Sequence, residues 1–172
     1  GHACGDRARR GRARPPSDEG GRSRRDPAVG GRRREPEPGV LGVGDGLVEA
    51  VFEVDLSKPH SVLGLVLRAE DEDSFLLAGV NSRGQYTIQR CLRGMWTPVM
   101  GLDPFETSRL LPFDPERVVV SAEIHGNYVD FSVNGQLVQV VRTTLPVMGQ
   151  AGVFVDGWTS AILDRFTVVP SR

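Results

Sequence analysis

A chain of 172 residues with a formal net charge of −1 has room for one domain and a tail, and its composition is that of an ordinary soluble protein. No apolar run approaches the roughly 18 to 20 residues of a membrane-spanning helix. The balanced charge hides two unlike parts: residues 1–46 hold 11 Arg against 7 acids, whereas residues 47–172 hold 10 basic and 15 acidic residues.

In chain order, the leading Gly1-His2 with no Met reads as a cloning or protease scar, or as a trimmed precursor. Cys4 follows Ala3, which leaves open a lipid-bearing Cys, although its neighbours are those of a tail. Residues 3–38 are rich in Arg, Gly, Pro, Ser and acids and almost free of apolar side chains. Such a stretch cannot bury enough apolar surface to offset ordering entropy of about 1 to 2 kcal/mol per residue, so disorder is expected over 1–45. Arg32-Arg33-Arg34 invites an anionic partner, but without interleaved aromatics the ordinary reading is a solvated linker, with no specific nucleic-acid binding.

From residue 46 the pattern changes. Short apolar runs separated by turn signals every 8 to 12 residues are the mark of an all-β sandwich or barrel. Strands are expected at 47–54, 61–69, 74–81, 84–91, 95–99, 117–125, 127–133, 136–142, 150–155 and 161–169. Between them, residues 101–116 are broken by Pro104, Pro112 and Pro115 and read as a long crossover loop with room for one helical turn.

The hairpins carry their own chemistry. Asn134-Gly135 suits the two positive φ values of a type I′ turn, and Gly126-Asn127 offers the same between Ile124 and Val129. Residues 117–142 therefore read as a three-stranded meander. Within it Val118, Val120, Ala122 and Ile124 alternate with Val119, Ser121, Glu123 and His125, so one face is apolar and the other polar. Cys91, inside a strand-like run with no second thiol or His at ligand spacing, reads as a half-buried hydrophobe.

The order of these pieces resembles a known family. The run GLVLRAEDEDSFLLAGVNSRGQYTIQRCLRGMWTPV, then VVVSAEIHGNYVDFSVNGQLVQVV, GQAGVFV and AILDRFTVV, is similar to concanavalin A-like, laminin G-like bacterial domains. The closing strand departs from the pattern at Leu163, where Phe is usual. The resemblance covers about residues 46–169 and implies a two-sheet antiparallel jelly-roll β-sandwich over 46–172, whose concave face binds sugars or protein surfaces in many relatives. It implies no single activity.

An enzymatic reading meets the residues poorly. A retaining glycoside hydrolase needs two carboxylates about 5 to 5.5 Å apart. The nearest match to the Glu-x-Asp-x-x-Glu pattern of family-16 hydrolases is EVDLSK at 53–58, where Ser57 and Lys58 replace the acid/base and the strand is the opening one. A domain of the 3-keto-glycoside hydrolase type is the runner-up. No nucleophile elbow, zinc-protease motif or phosphate loop is present, and His60 stands far from His125.

Sugar recognition needs flat aromatic faces beside planar polar groups. The chain has 2 Trp and 2 Tyr. Trp158, with Asp156 beside it in the VDGWTS loop, is the first candidate for ligand contact, because rim loops carry function. Trp96 is expected to cap the core, with ligand contact as the alternative. Tyr128 should lie near Glu123 or His125 across the Gly126 turn, sharing a face with Asp130 and Ser132. Tyr86 should sit in the core with its hydroxyl at the rim. Glu70-Asp71-Glu72-Asp73 reads as a solvated turn, with calcium the minor alternative, since that ion wants oxygens from several segments. No cofactor is expected.

The sequence thus points to a non-catalytic binding module for carbohydrate or a cell-envelope surface, extracellular or envelope-associated. A protein-interaction or structural role is the further alternative.

Overall fold

Strands that are apolar on one face must bury that face against another sheet, and two such sheets meet here. The computed structural model describes residues 42–55, 62–99, 101, 103–107, 116–156 and 160–171. The basic tail with Cys4, and His60, lie outside the described residues. Among those residues the strands are β1 (Gly42–Val43), β2 (Gly46–Asp55), β3 (Val62–Asp71), β4 (Ser74–Asn81), β5 (Gln85–Leu92), β6 (Met95–Pro98), β7 (Glu106–Thr107), β8 (Arg117–His125), β9 (Tyr128–Val133), β10 (Gln136–Arg142), β11 (Gly149–Val155) and β12 (Ser160–Pro170).

They form an all-β sandwich. One sheet has seven strands in the order β1-β11-β3-β4-β5-β6, with β7 also on β5; the other has five, in the order β10-β9-β8-β2-β12. All pairings are antiparallel. Leu63, Leu65, Leu67, Leu76, Ala78, Val80 and Ile88 of the first sheet meet Val48, Ala50, Phe52, Val118, Val120, Ile124, Val129 and Phe131 of the second in one core. The alternation read from the sequence is realised in β8, where Val118, Val120, Ala122 and Ile124 are buried and Glu123 and His125 exposed.

The expected strands all appear, with ends shifted by a residue or two. Two short strands escaped the sequence reading. β1 has only two residues, and β7 interrupts the proline-rich stretch expected to be a loop. A two-residue strand carries no measurable alternation, which is why pattern alone misses it.

Turn chemistry differs in one place. Asn134 and Gly135 both take positive φ (50° and 78°), as a type I′ turn requires. At the β8–β9 turn only Gly126 does so (54°), which is the φ pattern of type II′ rather than I′. Cys91 is fully buried and is not a free thiol, which corrects the reading of it as a lone small hydrophobe.

Candidate functional site

The outward face of the seven-stranded sheet is unusual because it too is apolar. Phe75, Leu77, Cys91 and Ala69 form a second buried cluster there, with Val66, Trp96 and Phe154 packed against it. The β4 sequence SFLLAGVN explains this, since both of its faces are apolar and all of its residues are buried. Phe75 and Leu77 face outward, while Leu76, Ala78 and Val80 belong to the core between the sheets.

This face is concave. Trp96 lies on β6 and Phe154 on β11, four strand steps apart, which in a flat sheet is about 19 Å at roughly 4.8 Å per step. Yet their ring centroids are 6.4 Å apart, at 70°. Side chains stand roughly perpendicular to a sheet, so rings from opposite flanks that meet over the middle strands, above Gly64 and Gly79, point to a sheet that curls toward them with both side chains leaning inward. Trp96 also meets Phe75 edge to face, at 5.4 Å and 85°. The T-shaped geometry sets the positive edge of one ring against the negative face of another and fixes the indole in place.

Glycines permit the curl. Gly64 of β3 pairs with Gly79 of β4. A Cβ at Gly79 would come within 2.6 Å of the Leu63 carbonyl oxygen, and one at Gly64 would strike the Ala78 carbonyl. Only residues without a side chain allow the two backbones to approach so closely.

Beside the indole, β5 supplies polar groups on the same face. Gln89 Nε2 donates to Thr87 Oγ1 at 2.8 Å, and Thr87 donates to the Pro104 carbonyl at 2.5 Å. Gln89 is partly exposed and keeps its amide oxygen as an open acceptor. Further along, Asn81 Nδ2 donates to Gln85 Oε1 at 2.9 Å. The arrangement is therefore a half-buried indole, clamped by two phenyl rings, next to an amide and a hydroxyl. It offers a flat apolar surface and planar hydrogen-bonding groups.

The residues singled out from sequence fall in three places. Trp96, expected to cap the core, packs against the outward buried cluster of Phe75, Leu77, Cys91 and Ala69. Tyr128, Glu123 and His125 do come together: Tyr128 pairs with His125 and Asp130 with Glu123, and His125 Nε2 lies 3.2 Å from Glu123 Oε1. They occupy the outward face of the five-stranded sheet, on the opposite side of the sandwich from Trp96. Trp158 lies outside the described residues, while Asp156 closes β11 with its N–H donating to the Val62 carbonyl at 2.8 Å. Tyr86 is in the core as expected, and its hydroxyl donates across the sandwich to Gln139 Oε1 at 3.2 Å.

Sequence inspection passed over Phe75, Phe154, Gln89 and Thr87. The two-faced apolarity of β4 was the available signal, because it requires that the strand's second face also be covered.

Among the described residues the acids singled out from the sequence lie apart. Glu53, from the EVDLSK stretch, is exposed on β2, and Glu70–Asp73 form an exposed turn in which Asp71 Oδ1 accepts from the Asp73 N–H at 2.9 Å. Among the described residues no group of three or more His, Cys, Asp or Glu converges as a metal site would need, and no helix is long and apolar enough to cross a membrane.

No protein-family model matches the chain, and no curated protein does. Solved structures do. A carbohydrate-binding module, CBM66 from Bacillus subtilis, superposes with a TM-score of 0.58 at 14% identity, over 74% of this chain and 76% of that one. Sheep galectin-11, solved in complex with glycerol, gives 0.57 at 12% identity, over 78% and 99%. A tetrameric galectin from the ball sponge Cinachyrella sp. gives 0.54 at 18% identity, over 75% and 98%. At such identities the likeness establishes the fold alone, a two-sheet antiparallel sandwich like those of the galectins and CBM66.

Proposed function

We propose that this domain is a non-catalytic carbohydrate-binding module and that its ligand lies across the concave face of the seven-stranded sheet. One observation carries the proposal: Trp96, held edge-on by Phe75 and Phe154, stands in a concavity beside Gln89 and Thr87. An indole face takes the C–H surface of a sugar ring, and the neighbouring Gln89 amide, held in place by the buried Thr87 hydroxyl, takes its hydroxyl groups. The fold shared with galectins and CBM66 supports the same ligand class. Trp158 is kept as a second contact, since it follows Phe154 by only a few residues in the sequence, and a cell-envelope or extracellular glycan is the proposed setting.

A glycan array probed with the full chain, Trp96→Ala, Trp96→Phe and Trp158→Ala tests this. Trp96→Ala is expected to weaken binding at least tenfold, equivalent to about 1.4 kcal/mol, while Trp96→Phe retains part of it. Loss in Trp158→Ala alone would move the site to the 156–160 loop. Silence of the parent chain on every glycan would overturn the proposal.

A further inference from the structure

A different place in the molecule holds a cleft that the concave face does not use. Along one flank of the sandwich, β6 edges the first sheet and β10 the second. Between them opens a cavity of about 180 Å³ lined by Arg90, Pro98, Val99, Arg142, Thr143 and Thr144. It is smaller than the roughly 300 to 1,000 Å³ of sites for drug-sized ligands, and it suits one sugar unit or a small anion.

Its charge is one-sided. Arg90 is in step with Tyr86 and Ile88 on β5, so it leaves the sheet on the core side at the open flank, while Arg142 ends β10. Arg90 Nη1 donates to Thr144 Oγ1 at 2.9 Å. Among the described residues the ion pairs are Arg117–Asp164, Arg165–Glu49 and His125–Glu123, so neither cleft arginine has a carboxylate partner. Among the described residues that line the cavity there is no acid. Thr143 is buried and accepts from the Leu145 N–H at 3.1 Å, and its own N–H donates to the Asn127 carbonyl at 2.8 Å, so the 143–145 backbone is fixed.

Two arginines line this one small cleft, Arg142 from its exposed end of β10, and their positive charge favours an oxyanion there. Guanidinium forks match the spacing of carboxylate and sulfate oxygens. We propose that this cleft is an oxyanion subsite, in which Arg90 and Arg142 hold a carboxylate or sulfate and the Thr144 hydroxyl hydrogen-bonds beside it. The oxyanion site is independent of the Trp96 face; that a sugar carries the oxyanion rests on the carbohydrate proposal.

The test is an amide chemical-shift titration of the full chain with sodium sulfate, sodium glucuronate, glucose and, at matched ionic strength, sodium chloride. Saturable shifts at residues 142–144 are expected with sulfate or glucuronate and not with glucose or chloride. Arg90→Met and Arg142→Met should each weaken that response at least tenfold, and Arg90→Lys should recover only part of it. Tighter saturation by glucuronate assigns the site to uronic acids; tighter saturation by sulfate assigns it to sulfated sugars. Absence of saturable shifts with every anion, or shifts that neither Met variant alters, would overturn the proposal. Sulfate binding in a chain silent on all glycans would keep the oxyanion site and remove the carbohydrate proposal.

Discussion

Arg68 and Asp45 hold the two backbone polar groups of one residue, Gly126. Arg68, only 1% exposed, donates through Nη2 to the Gly126 carbonyl, while Asp45 Oδ1 accepts from the Gly126 N–H at 2.8 Å. A second arm of the guanidinium reaches the Pro146 carbonyl at 3.4 Å. Burial pulls the Arg68 pKa below its ordinary value, and the charge of Asp45 opposes that pull. The residue therefore ties the end of β3 to the β8–β9 turn and to the loop before β11. Arg68→Met is expected to cost about 2 to 4 kcal/mol, since two carbonyls lose a charged donor. Asp45→Asn should cost about 1 kcal/mol in the parent and much less in the Arg68→Met background. Urea unfolding of the four proteins measures the coupling, and additive effects would mean that the two charges act separately.

Arg68 also has a φ of 54°, in the left-handed region. It sits where the pairing of β3 with β4 shifts between Leu67 and Asp71, so this conformation turns the side chain out of the strand's alternation. Arg68→Gly loses the same hydrogen bonds as Arg68→Ala but has no left-handed penalty. It should be the more stable of the two by about 1 kcal/mol, and the reverse order in urea would show that the backbone there is not strained.

Glycines in this fold separate into two kinds, and substitution should tell them apart. Gly135 has a φ of 78° with nothing within 4 Å of where a Cβ would stand, so Gly135→Ala should cost only the conformational penalty, about 1 kcal/mol. At Gly64 a Cβ meets the backbone of β4. Gly64→Ala should exceed 3 kcal/mol or prevent folding, because strand backbones cannot give way as a side chain does. If Gly64→Ala folds, the concave face must flatten, and thermal shift together with glycan binding would both register it.

The extent to which the molecule was legible in its sequence follows from period. Strands of six or more residues announce themselves by alternation, and Val118 to Ile124 fixed the buried face of β8 without any structure. Tyr128, Glu123 and His125 were placed together by the Gly126 turn alone. The concave face was not legible, because curvature is a property of strands far apart in sequence: Phe154 and Trp96 are neighbours only through the curl that the Gly64–Gly79 pair allows. Likewise Arg90 and Arg142 come from different sheets, and no local pattern joins them.

Tyr86 provides a solution check on how the two sheets meet. Burial raises its pKa above the ordinary tyrosine value, and the negative charge of Glu106 adds to the effect. Its hydroxyl donates to Gln139 of the opposite sheet. In a Tyr128→Phe background the only remaining tyrosine is Tyr86, and its phenolate absorbance should rise above the ordinary value of about 10. Glu106→Gln should lower that midpoint without restoring it, because burial is the larger cause. The sign for stability follows from which form the fold prefers. The neutral phenol is favoured in the folded chain, so its contribution is complete below about pH 10, the unfolded value, and is lost as pH rises through the higher folded one. Alkaline unfolding should therefore be steeper in the Tyr128→Phe protein than in the same protein carrying Tyr86→Phe. An ordinary midpoint for Tyr86 would mean that its ring is wet, and that β5 and β10 do not close over it.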